Sequence, residues 1–443
     1  MLFLIRFAQI HESFRLAELK ALAELECEDL KIAEHDDKNP FCIVEMSSVE
    51  ASKRVISRSI LAQSIHELWG SGSTLNELHE DIKSILPDRG HLYKDASFKF
   101  EVECFQGTRS KKARMEIIHS LAYLPFEGPI KMKDPQEHFT IFEYWPYQSV
   151  FLGIENPERL YFARFVGGTS RDIVHKYDLK KRGYISTTSM DSELALVTAN
   201  IALADSGKLF FDPFVGTGSF PIACSHFGAT TWGSDIDGRS LRGDGKDKSL
   251  KGNFSQYGMK ERIGDVFASD LTNTPLQLRR IWDGIVCDPP YGVREGLRVL
   301  GCRDPLLKPW QLELSKKNYK EPDYVPPKKP YSFYAMLDNI LAFAASTLVD
   351  NGRLSFWMPT ANDEDREIAI PEHPRLQVVS VCTQVFHKWS RRLITYRRVS
   401  DAEVSPAALQ AFAVRQQVTV EGRTADELNP FRNEYFKGFN SEK

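Results

Sequence analysis

From residue 188 onward the chain alternates short apolar runs with helical stretches. No other feature constrains the fold as strongly, because the alternation demands a mostly parallel sheet with helices packed on its faces. Lys208–Asp212, Thr230–Asp235, Ile263–Asp270, Gly284–Cys287 and Arg353–Trp357 read as five parallel strands, and Leu376–Phe386 with Leu393–Arg397 as a closing antiparallel pair. Ser189 is the expected N-cap of a helix reaching about Ala204, with Asp191 and Glu193 at its positive end. Ser332 is placed to cap a second helix, which ends at Asn351-Gly352 and whose apolar face is Phe333, Met336, Leu337, Ile340 and Leu341. The result is a seven-stranded doubly wound sheet, and such sheets bind ligands outside the carboxyl ends of their strands.

Those ends carry the chemistry. After the first strand comes Asp212-Pro213-Phe214-Val215-Gly216-Thr217-Gly218-Ser219. Gly216 and Gly218 let the backbone turn tightly and approach a ligand where a Cβ would collide, and the helix beyond presents unsatisfied N–H groups. There is no third glycine at dinucleotide spacing and no Gly-Lys-Ser/Thr, so neither the dehydrogenase fingerprint nor the P-loop fits. Asp212 would repel a phosphate and suits the ammonium group of S-adenosyl-L-methionine. Asp235, 17 positions after Gly218, ends the second strand, where a carboxylate takes ribose hydroxyls. Asp270 ends the third and can accept from an adenine amine, with the Leu271 backbone beside it for a ring nitrogen.

Asp288-Pro289-Pro290-Tyr291 follows the fourth strand. The prolines stiffen the turn and remove backbone donors, and a residue before proline is held extended. The Asp288 carboxylate and the Pro289 carbonyl thereby form a pair of acceptors suited to a planar amine with two hydrogens, and Tyr291 offers a face on which an extruded base can stack. The four residues, with Pro290 as stiffener, read as the catalytic set for work on the exocyclic amine of a nucleobase.

Upstream, residues 1–10, Phe41–Met46, Phe98–Cys104, Phe139–Trp145 and Tyr161–Val166 read as strands, Ser13–Leu25 as a helix, and Ala51–Trp69 as a helical stretch closed by Gly70-Ser71-Gly72. Gly107–Arg114 reads as a basic turn that displays Arg109, Lys111, Lys112 and Arg114 and opens a helix over Met115–Ala122. Residues 294–329 form an insertion with nine Lys/Arg against five Asp/Glu, in which Lys316, Lys317 and Lys320 are candidates to clamp RNA phosphates. Over 443 residues the formal net charge is −3, so any nucleic-acid contact must come from such local patches. Seven dispersed cysteines give no zinc or redox spacing and point to a reducing compartment. No apolar run has the length of a membrane span, and the opening Met1–Ile5 run is broken by Arg6, so the expectation is a soluble cytoplasmic protein without a resident metal.

The segments Tyr177–Arg182, Thr188–Asp191, Asp212–Ser219, Asp235–Arg239, Asp288–Arg294 and Pro430–Phe436 together make the chain similar to class I amino-methyltransferases acting on nucleic acid. More narrowly, it resembles the catalytic subunits that methylate the 2-amino group of guanosine 10 in tRNA. The resemblance implies an α/β protein with a ferredoxin-like lobe over 1–60, a THUMP RNA-binding domain over 61–170, a linker over 171–187, a Rossmann-like methyltransferase domain over 188–400 and a tail over 401–443. It adds Thr188 and Ile236 to the cofactor-binding residues. It further implies a heterodimer with a small zinc-binding methyltransferase activator subunit. A DNA or rRNA amino-methyltransferase would share the glycine loop and the Asp-Pro-Pro-Tyr turn and differ in the N-terminal module; a non-catalytic RNA-binding scaffold would not need the complete set.

Overall fold

The apolar runs pair into two seven-stranded sheets, one in each of the compact units Met1–Asp172 and Ile173–Lys443. The computed structural model describes the chain except residues 246, 294–295, 303–305, 307, 319–320, 322–323, 325, 363–366, 417–423 and 439–443.

In the first unit the strands are β1 (Leu2–Phe7), β2 (Lys31–Glu34), β3 (Phe41–Glu45), β4 (Ala62–Gly72), β5 (Phe98–Phe105), β6 (Glu137–Tyr144) and β7 (Arg159–Gly168), in the order β2-β3-β1-β4-β7-β6-β5. The sheet runs unbroken across residue 60. Only β5 and β6 pair in parallel. The helix expected over Ala51–Trp69 is a correction: it spans only Val49–Ser57, capped by Ser48, and Ala62–Gly72 is a central strand. The buried carboxylate of Glu18 makes the break, accepting from Ser59 Oγ and from the N–H groups of Ile60 and Leu61 at 2.8–3.0 Å. Beyond that corner β4 pairs with β1 on one side and β7 on the other, and its Trp69 is fully buried beside Phe139 and Phe162. Tertiary pairing thus overrides a local pattern that both structures could satisfy.

In the second unit β8 (Leu209–Asp212), β9 (Thr230–Asp235), β10 (Ile263–Ala268), β11 (Trp282–Cys287), β14 (Leu348–Ala361), β15 (Leu376–Val385) and β16 (Trp389–Arg398) are arranged β10-β9-β8-β11-β14-β16-β15. The first five are mutually parallel, and β16 is antiparallel to both neighbours, as the alternation requires. The order runs one way from β8 through β9 to β10 and the other way from β8 through β11 to β14. The crevice between β8 and β11 is therefore the topological switch point.

Phe211 of β8 stacks on Trp282 at 5.0 Å, and Phe343 from the helix Phe333–Thr347 closes over it. Ser332 caps that helix as expected. The first helix of this unit is Ser192–Ile201, and its cap is Asp191, whose Oδ1 accepts from Glu193 N at 2.9 Å, not Ser189. Two features extend the sequence reading, which expected the tail to rejoin structure at Pro430-Phe431 and Tyr435-Phe436. A two-stranded ribbon, β12 (Arg298–Leu300) with β13 (Lys328–Pro330), closes the base of the insertion, and the tail carries helices over Pro406–Gln416 and Pro430–Lys437. Among the described residues no helix is long and apolar enough to cross a membrane.

Candidate active site

Asp212, Asp235, Asp270 and Asp288 lie at the carboxyl ends of β8, β9, β10 and β11, on the two sides of the switch point. The loop after β8 turns through Gly216 (φ 46°) and Gly218 (φ 87°). A side chain at Gly218 would bring a Cβ to 3.1 Å from Leu250, so glycine is needed there for conformation and for space. The helix Ser219–His226 then begins with Ser219 held by Arg182, whose Nη1 donates to its Oγ at 2.9 Å. Thr217 Oγ1 lies 2.8 Å from Ser189 Oγ, and the Thr217 carbonyl accepts from Asn253 Nδ2 at 3.1 Å. Ser189 thus serves the glycine loop instead of a helix end. Thr188 is exposed beside it, with Oγ1 3.2 Å from Ser186 Oγ.

Asp212 is 2% exposed. Its burial pushes the carboxyl well above the usual carboxylate range; the Phe214 N–H, donating at 2.9 Å, opposes this, while Asp235 and Asp288 add to it. A buried carboxyl crowded by two others, with no described cation beside it, is the environment that an incoming ammonium group would relieve. Pro213 is buried behind it and Phe214 is half-buried against the core.

The other two aspartates do more for the chain itself than spacing reveals. Asp235 uses one oxygen to accept from Gly216 N at 3.0 Å and the other from Asp237 N at 2.9 Å, tying the glycine loop to β9. Burial raises its pKa, opposed chiefly by those two N–H groups. Ile236 follows it, half-buried. Asp270 accepts from Thr272 N and Oγ1 at 2.9 and 3.0 Å with one oxygen and from Leu300 N at 2.7 Å with the other, so it staples β12 to the end of β10. An adenine amine would have to use the remaining lone pairs. Leu271 is half-buried against the core below.

At the end of β11, Asp288 is closely surrounded yet partly open to solvent. Burial pushes its pKa up to about 6, with the Arg391 guanidinium and the Tyr291 hydroxyl holding it down. Tyr291 Oη donates to Asp288 Oδ1 at 2.5 Å, and its ring meets Trp389 edge-on at 6.3 Å. Tyr291 therefore spends its hydroxyl on orienting the carboxylate, a role that stacking alone did not foresee. No described residue donates to Oδ2. Pro289 is buried and Pro290 exposed, the pattern of a stiff turn lying on the sheet end.

Arg391 was not legible in the sequence. It sits on β16 opposite Pro359, lies 4.8 Å over Trp357 and 5.7 Å over Phe386, and donates through Nε to Gln384 at 2.6 Å. It is the cation facing Asp288 and Tyr291, 103 and 100 positions away from them in sequence, and an arginine inside a strand was the only local hint.

Of the expected RNA contacts, Ser110 caps the helix Lys111–Ser120, which starts one turn earlier than Met115. Lys111, Lys112 and Arg114 are exposed on that first turn. Arg109 is not part of the display: its Nε donates to both carboxylate oxygens of the buried Glu143 at 3.0 Å, and its guanidinium lies 4.9 Å over Trp145. In the second unit Lys316 and Lys317 are exposed in the last turn of the helix Lys308–Asn318, and Lys320 lies outside the described residues.

Residues 1–171 match the family described as Tmrp11 THUMP N-terminal domain, and residues 180–298 the family described as RMKL-like, methyltransferase domain. The tRNA (guanine(10)-N(2))-methyltransferase of Saccharomyces cerevisiae is 45% identical over 400 residues, covering 89% of this chain and 92% of that protein. The protein of the same name from Schizosaccharomyces pombe is 36% identical over 473 residues, covering 98% and 96%. The human tRNA (guanine(10)-N(2))-methyltransferase TRMT11 is 34% identical over 416 residues, covering 90% and 89%.

Proposed function

This chain belongs to the tRNA (guanine(10)-N(2))-methyltransferase family, and from that premise we propose how its residues carry the reaction. The activity is S-adenosylmethionine-dependent methylation of guanine on its 2-amino group in tRNA; guanosine 10 is the proposed position. One observation supports the reading most: the buried carboxyl of Asp212 and the partly open carboxylate of Asp288 end the two strands β8 and β11 that flank the switch point, one suited to the donor and one to the acceptor.

When bound, S-adenosylmethionine supplies an electrophilic methyl group. Asp212 would take its ammonium group, and the loop Pro213–Ser219 would pass beneath it, with Gly216 and Gly218 leaving room. Asp235 holds that loop closed and, with Ile236, lines the side where a ribose would lie; Asp270 and Leu271 bound the adenine end. The guanine amine is a weak nucleophile because its lone pair is delocalised into the ring. Asp288 Oδ2 and the Pro289 carbonyl would each accept one of its hydrogens and turn that lone pair toward the methyl, the charge-assisted bond to the carboxylate contributing about 1.5–3 kcal/mol and the neutral one to the carbonyl about 0.5–1.5 kcal/mol. The proton that the amine sheds on methylation, as the methyl's bond to the sulfonium sulfur breaks, would pass to Asp288 Oδ2, on a carboxylate with a pKa of about 6.

Lys111, Lys112 and Arg114 in one unit and Lys316 and Lys317 in the other are the proposed phosphate contacts. Replacing Lys316 and Lys317 by Ala is expected to weaken tRNA binding and to lower the slope of log K against log salt by about 1–2. An unchanged slope in filter-binding titrations would remove these residues from the interface. The activator subunit and the heterodimer rest on the family resemblance and a cytoplasmic location on the dispersed cysteines, and co-purification of a zinc-containing partner from cytoplasm would test all three. The function itself is tested by incubating the enzyme with tRNA, rRNA and DNA and mapping the methylated nucleoside by mass spectrometry. N2-methylguanosine at position 10 of tRNA is expected; methyladenine in DNA would establish the rival substrate.

A further inference from the structure

The segment Leu428–Lys437, distant in sequence from every strand end, reaches the acceptor turn. Asn429 is 1% exposed, and its side-chain amide has two jobs. Its Oδ1 accepts from Arg432 N at 3.1 Å, capping the helix Pro430–Lys437, and its Nδ2 donates to the Tyr291 carbonyl at 2.8 Å. The cap fixes which way the amide points, because only the oxygen can accept an N–H. Arg432 Nη1 then donates to the carbonyls of Gly292 and, at 3.1 Å, Val293, while its Nε is held by Asp426 at 2.8 Å. Three consecutive carbonyls after Pro290 are thus gripped by one asparagine and one arginine.

The fit is close. Gly292 has φ 79°, and a Cβ there would lie 2.4 Å from Asn429 Nδ2. The helix itself is anchored: Phe431 is 4% exposed and meets Trp389 at 5.8 Å, the same Trp389 that meets Tyr291. The Leu428 carbonyl accepts from Phe333 N at 3.0 Å.

We propose that Asn429 and Arg432 are positioning residues for methyl transfer, locking the peptide planes of Tyr291–Val293 so that Tyr291 holds the Asp288 carboxylate at the acceptor. The proposal rests on the function assigned above to Asp288. Clamping the backbone on the far side of Tyr291 leaves its phenol one position from which to reach Oδ1, and misplacing a reacting group by an ångström costs about a hundredfold in rate.

Asn429→Asp separates positioning from folding. Aspartate caps a helix as well as asparagine does, but it cannot donate to the Tyr291 carbonyl and sets a negative charge against it. In the full-length chain, kcat on tRNA is expected to fall about a hundredfold, with the KM for tRNA and S-adenosylhomocysteine affinity near wild type and the melting temperature lowered by only the few degrees that a buried carboxylate costs. Arg432→Ala should behave alike, with partial recovery of kcat on adding guanidinium ion at concentrations that leave the fold intact. Hydrogen exchange of the 288–293 peptide, read without any assay of activity, is expected to accelerate in both variants. Wild-type kcat despite faster exchange, or loss of kcat only in step with cofactor affinity and melting temperature, would overturn the proposal. If wild-type enzyme fails to methylate tRNA guanine, the assigned function falls, while unchanged exchange in the variants would bring down the clamp by itself.

Discussion

Asp288→Ala lowers kcat on tRNA about a thousandfold, the upper range for loss of one preorganised hydrogen-bonding group at a transition state, and leaves the dissociation constant for S-adenosylhomocysteine near wild type. The variant removes the acceptor of an amine hydrogen and orphans the Tyr291 hydroxyl, which donates to Asp288 at 2.5 Å. It touches nothing in the glycine loop, where Asp235 does the holding. Asp288→Asn keeps the shape and loses the charge, so it should lie near the alanine variant if the carboxylate is what matters. The pH profile gives a second readout. Burial raises the Asp288 pKa to about 6, so the active carboxylate is present above that value and is lost as the pH falls through it. Arg391 holds the pKa down, and Arg391→Gln is expected to move the acid limb to higher pH. Turnover retained in Asp288→Ala, measured by single-turnover methyl transfer, would sink the mechanism.

Asp212→Asn acts with opposite signs on binding and on stability. Loss of the ammonium partner raises the dissociation constant for S-adenosylmethionine about ten- to a hundredfold, the worth of one charge-assisted hydrogen bond. The folded protein without cofactor, by contrast, melts a few degrees higher at neutral pH. Asp212 is raised well above its unfolded pKa, by burial first and by Asp235 and Asp288 besides. A carboxyl shifted in that direction leaves stability intact below the unfolded pKa and erodes it as the pH rises toward the folded pKa. The neutral amide escapes that erosion, and it can still accept the Phe214 N–H. The gain in melting temperature should therefore shrink to nothing in acid. A variant that melts lower at neutral pH, or that binds the cofactor unchanged, would contradict the role given to Asp212. Binding sites are where a fold carries such unfavourable charge.

The catalytic unit was readable because its central strands are buried on both faces and end in chemically marked residues: Phe210-Phe211-Asp212 and Ile285-Val286-Cys287-Asp288 show strand and site in one run. Parallel pairing followed from alternation, whereas the strand order, and with it the switch point between β8 and β11, needed the structure. What escaped depended on distant partners. β4 read as helix because nothing local shows that Glu18 breaks the chain at Ser59–Leu61. Arg109 read as a displayed cation because Glu143, 34 positions on, is invisible as its partner in a one-dimensional reading. Asn429 lies 138 positions from the carbonyl it holds, and no period or spacing links them. Asp235 and Asp270 were found as strand-end carboxylates, but their hydrogen bonds to Gly216, Asp237, Thr272 and Leu300 need coordinates.

The ribbon of β12 and β13 bears on how this catalytic unit can change. Leu300 N is fixed to Asp270, Gly301 N donates to the Pro327 carbonyl at 2.9 Å, and Tyr331 N to the Leu297 carbonyl at 3.0 Å. The two ends of the intervening stretch are thus pinned side by side on the sheet. Lengthening a stretch whose ends are already joined costs only about 0.6 kcal/mol per doubling. The stretch between Gly301 and Pro327, apart from the helix Lys308–Asn318 that carries Lys316 and Lys317, is therefore where a lineage could add sequence, and an experimenter could graft a reporter, while Asp270 and Asp288 stay where they are.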